Sequence, residues 1–144
     1  MVSLARAGSV NRVSNEGSDG SVYDAVGGRS FFVELVDGFY AGVSVDPLLR
    51  PMYPEDLSDA RRHLAGFLTQ YWGGPSTYSD ERGHPRLRMR HAPFVIGEAE
   101  RDAWLLHMLA SLDAVTATRG TPVEAVARIR TYLTDVADFL VNPR

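Results

Sequence analysis

A chain of 144 residues with 44% hydrophobic content can bury one core, so a single folded domain is expected. A formal net charge of -3 and an isoelectric point near 5.8 argue against a general nucleic-acid binder, which is ordinarily basic. With no cysteine, disulfides, zinc ribbons, iron–sulfur clusters and thiol catalysis are excluded, and any metal must be held by His, Asp, Glu, Tyr or Met.

Residues 1–20 are rich in Ser and Gly with only isolated apolar residues such as Val10 and Val13. Such a segment buries too little apolar surface to offset its ordering entropy, which predicts a disordered tail before a domain spanning 21–144. It also lacks the apolar stretch of a secretory leader. No run in the chain approaches the roughly 20 apolar residues of an integral membrane segment, so a cytoplasmic protein is expected.

The remainder reads as helices separated by strong breakers. A short element begins at Val22 and ends at Gly27-Gly28. Phe31, Phe32, Leu35, Val36, Phe39, Tyr40 and Val43 then recur at three and four, one broad face of a helix that Asp46-Pro47 stops. A compact stretch carries Met52 and Tyr53. Ser58 is the expected cap of the next helix, whose apolar positions are Ala60, Leu64, Phe67, Leu68 and Tyr71 and whose end is Gly73-Gly74-Pro75.

Residues 76–95 read as a long polar connection, a length more often functional than idle. A helix is expected from about Glu98 to Ala114, with Trp104, Met108 and Leu112 on one face. Thr121-Pro122-Val123-Glu124 has the form of a capping box, and the helix it opens carries Val126, Ile129, Leu133, Val136, Ala137 and Leu140 as its buried stripe. No segment alternates with period two over a useful length. The fold class is all-α.

The connection 76–95 holds His84, His91, Arg82, Arg86, Arg88 and Arg90. By residue type it is a solvated basic loop, an RNA-contacting loop with only Tyr78 and Phe94 to stack on bases, or a metal site built on His84 and His91. Tyr40, Tyr53 and Trp104 fall where burial is expected, and each brings an O–H or N–H that needs a partner once buried. Singly they are structural; converging, they would make a polar pocket in an apolar core.

The runs Phe67-Leu68-Thr69-Gln70-Tyr71-Trp72-Gly73-Gly74-Pro75 and Gly83-His84-Pro85-Arg86-Leu87-Arg88-Met89-Arg90-His91-Ala92-Pro93-Phe94 resemble the distal-helix end and the proximal segment of group II truncated haemoglobins, of the actinobacterial oxygen-binding type. Tyr23-Asp24-Ala25-Val26-Gly27-Gly28, Phe39-Tyr40, Tyr53-Pro54-Glu55-Asp56 and Glu100-Arg101-Asp102-Ala103-Trp104-Leu105 match in the same order.

The resemblance implies a two-over-two helical sandwich around haem b, with His91 as the protein ligand to iron. It implies Tyr40, Tyr53 and Trp104 facing a diatomic ligand such as oxygen, with Ala60 and Leu64 beneath them. Phe67, Phe94 and Met108 are expected to line the cofactor, and Arg90 or Tyr78 to meet a propionate. His63 departs from the long basic side chain common in the family and reaches less far. The stretch Pro54-Glu55-Asp56-Leu57 is one residue shorter than the family pattern.

With only a methyl at Ala60, donors to the partial negative charge on bound oxygen must come from the two tyrosines and the tryptophan. Reversible oxygen binding is the expected function. The alternative is a haem enzyme acting as a peroxidase or nitric oxide dioxygenase, and a haem-free helical interaction module is the reading of a different class. An unidentified redox partner is implied, and homo-oligomer formation stays open.

Overall fold

The computed structural model describes residues 21–91 and 93–142, so the expectation of a disordered tail over 1–20 lies outside the described residues. Among the described residues every regular element is helical: α1 (Val22–Val26), α2 (Arg29–Val43), a short 3-10 turn (Arg50–Met52), α3 (Ser58–Tyr71), α4 (Thr77–Arg82), α5 (Leu87–His91), α6 (Glu98–Arg119) and α7 (Val123–Phe139).

Helix α2 is the centre of the packing. Its seven expected apolar residues, Phe31, Phe32, Leu35, Val36, Phe39, Tyr40 and Val43, are all buried, none more than 4% exposed. Full burial of such a side chain contributes about 1.5–3 kcal/mol, so this stripe decides where the helix sits. It packs on α3 and on α6, and α6 in turn packs on α7. The pair α2–α3 therefore lies over the pair α6–α7, the expected two-over-two sandwich.

The glycine pairs let the first helix close against the end of α3. Tyr23 donates its backbone N–H to Trp72 O at 2.9 Å. Its ring lies against Gly74, where a Cβ would come within 2.6 Å of Tyr23 Cε1, and Gly73 turns at φ 111°. Any side chain at Gly74 would push the ring out.

Four details differ from the expectations. Ser58 is the first residue of α3 rather than its cap: Asp56 Oδ1 accepts the Ser58 N–H at 2.9 Å, so a carboxylate two residues upstream takes the capping role. The connection 76–95 contains two short helices, α4 and α5. Helix α6 runs to Arg119, not Ala114, because burial continues through Met108, Ser111, Leu112 and Val115 until Gly120 adopts a left-handed turn. Before α7 the Thr121 capping box does not form. Pro122 is the cap residue, and Thr121 Oγ1 is buried without a hydrogen-bond partner.

Candidate cofactor site

Helix α5 positions His91. Its Nδ1 lies 2.7 Å from Leu87 O, one turn back on the same helix. A carbonyl only accepts, so Nδ1 is the donor, which leaves Nε2 as the nitrogen the ring can offer to a metal. That is the tautomer a metal ligand needs, with its other nitrogen held by a backbone carbonyl. The segment is tied from the far end of the chain: Asn142 donates Nδ2 to His91 O at 3.2 Å and accepts the Ile96 N–H at 2.7 Å. His84 is exposed and accepts the Arg86 N–H at 3.1 Å, and no group of three His, Cys, Asp or Glu among the described residues could hold a metal by itself. The His84–His91 metal pair therefore has no supporting cluster.

Separately, α2, the loop after the 3-10 turn and α6 bring Tyr40, Tyr53 and Trp104 into one aromatic cluster. The Tyr40 and Tyr53 rings meet edge-on at 5.5 Å, and Phe39 bridges them to Trp104, lying 4.9 Å from Tyr40 and 5.5 Å from Trp104. Burial pushes the Tyr53 hydroxyl up to about 12, and burial beside Tyr53 raises Tyr40 further. Both phenols thus stay protonated donors at any physiological pH. Among the described residues neither hydroxyl, nor Trp104 Nε1, has a hydrogen-bond partner.

Helix α3 supplies the wall. Its apolar residues divide into two stripes. Ala65 and Leu68, with Trp72 just past the helix end, are buried in the protein core, whereas Ala60, Leu64 and Phe67, one stripe over, are only half-buried. The sequence pattern had merged the two. Phe94, beyond α5, leaves 37% of its surface uncovered, while Met108 on α6 is wholly enclosed by the core.

At the edge of this wall the Phe67 ring meets Tyr78, and the Arg82 guanidinium lies 5.9 Å from the centroid of the Tyr78 ring. Arg82 Nη1 is 3.1 Å from His63 Nδ1 and 3.2 Å from Nε2. Burial, then the charges of Arg82 and Arg62, hold His63 below the usual histidine range. Arg62 is neutralised by Glu81 at 2.8 Å, but among the described residues Arg82 has no carboxylate partner, and its Nε is buried and unpaired. Arg82 is partly buried, and a carboxylate would complete its guanidinium. Arg90 spends its Nε on Pro85 O at 2.8 Å and Nη2 on Arg82 O at 3.4 Å. Sequence reasoning named Arg90 and passed over Arg82, whose neighbour His63 is brought close only by the packing of α4 on α3.

Residues 21–137 match a family model described as bacterial-like globin. The Group 2 truncated hemoglobin YjbI of Bacillus subtilis (strain 168) is 47% identical over 93 residues, which span 65% of this chain and 70% of that protein. The hemoglobin of the thermophilic phototrophic bacterium Chloroflexus aurantiacus superimposes with a TM-score of 0.82 at 48% identity, covering 86% of this chain and 99% of that one. The truncated oxygen-avid haemoglobin of Bacillus subtilis does so with a TM-score of 0.77 at 41% identity, covering 85% and 99%. This chain belongs to the bacterial-like globin family, as a truncated haemoglobin of group II.

The residues present fit the haem this family implies. His91 offers Nε2, α3 and Phe94 offer partly uncovered apolar surface, and Arg82, which has no carboxylate partner among the described residues, could meet a carboxylate of the group.

Proposed function

We propose that the protein holds haem b between α3 and α5 and binds oxygen reversibly, with His91 as the residue that would bind the iron. Bound haem supplies an iron centre at which a diatomic ligand coordinates. Everything else is done by side chains of this chain. Leu87 O fixes the His91 ring and its tautomer. Ala60, Leu64, Phe67, Phe94 and the packing around Met108 exclude water from the apolar faces. Tyr40, Tyr53 and Trp104 hold protons ready for a ligand that gains negative charge on binding, which is where fixed donors in a dry pocket act most strongly. Tyr78 and Arg82, with Arg90 nearby, take the propionates.

The observation that carries this reading is the His91 Nδ1–Leu87 O hydrogen bond of 2.7 Å, which leaves Nε2 free. His91→Ala is expected to lose the Soret band or release haem readily, while His84→Ala retains it. An unchanged ferrous spectrum in His91→Ala would overturn the ligand assignment. Within the same proposal the protein is cytoplasmic, in keeping with a chain that has no cysteine, and an unidentified redox partner keeps the iron ferrous. Among the described residues no helix is long and apolar enough to cross a membrane.

A further inference from the structure

Away from the cofactor wall, α2 and α6 cross at an unusually short distance. A Cβ on Gly38 would lie 2.2 Å from Ser111 Oγ, and one on Gly42 would lie 2.3 Å from His107 Nδ1. The two contacts differ in kind. Ser111 donates its hydroxyl to Leu35 O at 2.7 Å, a local tie between the two helices. His107 reaches past Gly42 to the loop beyond α2, where its Nε2 lies 2.7 Å from Asp46 Oδ2. A carboxylate only accepts, so the ring N–H donates.

Asp46 is bound on both oxygens. Oδ1 accepts the backbone N–H of Leu48 at 2.8 Å and of Leu49 at 3.4 Å, and Asp46 O accepts the Arg50 N–H at 2.8 Å. The hydrogen bond from His107, then that from Leu48, hold its carboxyl below the usual carboxylate range. From Leu49 the chain enters the 3-10 turn, and Arg50 Nη1 donates to Tyr53 O at 3.3 Å and to Pro54 O at 3.0 Å. A continuous set of polar contacts therefore runs from His107 through Asp46 and the 3-10 turn to Tyr53. His107 also stands one turn after Trp104 on the same helix.

We infer that Gly42, Asp46 and His107 form a strut that fixes the Tyr53-bearing loop against the Trp104-bearing helix. They are thus positioning residues for the distal donors. This rests on the donor role proposed above for Tyr53 and Trp104. None of the three strut residues belongs to the aromatic cluster or to the apolar wall described above. The strut works because a loop residue holds its ring usefully only if its backbone is held, and the loop has no regular element of its own beyond one 3-10 turn. Gly42 is the opening that admits the histidine. An alanine there is ordinarily favourable in a helix interior but would strike the His107 ring.

The test uses the haem-loaded protein and two readouts: the oxygen release rate by stopped flow, and the C–O stretching frequency of the carbon monoxide complex, which reports donors near the ligand. His107→Leu and Gly42→Ala should each speed release by about threefold to tenfold, as expected for donors misplaced but not deleted. Both should move the C–O band in the direction that Tyr53→Phe moves it. His107→Gln, which keeps a donor of similar reach, should stay within about twofold of the parent rate. Gly42→Ala displaces the His107 ring while leaving both polar side chains in the sequence, so it decides the matter if His107→Leu folds poorly. Parent-like release and C–O bands in Gly42→Ala and His107→Leu, with altered values in Tyr53→Phe and Trp104→Phe, would overturn the strut and leave the donors standing. Parent-like values in all four variants would overturn the donor reading and the strut with it.

Discussion

Trp104 illustrates what a single residue reveals. Its place beside Met108 and Leu112 on α6 was legible from periodicity, and its N–H marked it as a group that would need a partner once buried; in the fold it is half-buried, packed against the core rather than within it. That it joins Tyr40 and Tyr53 was implied by the family resemblance but not legible from periodicity, because the three come from a helix, a loop and a second helix, and Phe39 is the side chain that brings them together. Arg82 is the converse case. Nothing in its local sequence separates it from Arg86, Arg88 or Arg90, and only the fold shows a buried guanidinium nitrogen without a partner. Removing one donor tests the residue-scale account. A hydrogen bond to a charged acceptor in such a pocket contributes roughly 1.5–3 kcal/mol. Trp104→Phe is therefore expected to accelerate oxygen release by about tenfold or more. Tyr53→Phe is expected to do less where Tyr40, whose ring is 5.5 Å away, turns to replace it. The double variant of Tyr40 and Tyr53 measures that compensation. Unchanged release from Trp104→Phe and from the double variant would remove the donors from the account.

Among the elements, α2 was fully legible, since all seven expected residues are buried and the helix ends before Asp46-Pro47. Helix α3 was legible as a helix but not as two faces: Ala60, Leu64 and Phe67 share one stripe, Ala65, Leu68 and Trp72 the next, and apolar periodicity alone cannot say which stripe the protein covers itself. Helix α5 was hidden because five residues rich in arginine carry almost no apolar period. One tie from outside the helix comes from Asn142. Asn142→Ala deletes the donor to His91 O and leaves the Ile96 N–H without its acceptor, a loss on the order of 1–3 kcal/mol. Faster haem transfer to an excess of an acceptor globin, together with a Tm lower by several degrees, is the expected outcome. A variant that keeps parental haem retention would show that α5 holds its place without this tie.

At the scale of the molecule, the two-over-two sandwich follows from a few faces that must be buried together: the stripe of α2 against α3 and α6, and α7 closing over α6. Among the described residues the arrangement leaves apolar surface of α3 partly uncovered, His91 Nε2 without a hydrogen-bond partner and Arg82 without a carboxylate. A haem group answers all three at once, and membership of the group II truncated haemoglobins agrees with that reading. The sequence motifs pointed to the same group from residue order alone, while the apolar wall and the unpaired Arg82 emerge only when α3, α4 and α5 are placed.

The most direct test is the absorption spectrum of the purified protein as isolated, after reduction under anaerobic conditions, and after admission of air. The account predicts a Soret band, a five-coordinate ferrous spectrum on reduction, and a distinct oxygenated spectrum that reverts when oxygen is removed. A colourless protein that takes up no added haem, or a ferrous form whose iron is six-coordinate through a second side chain and fails to respond to oxygen, would contradict it.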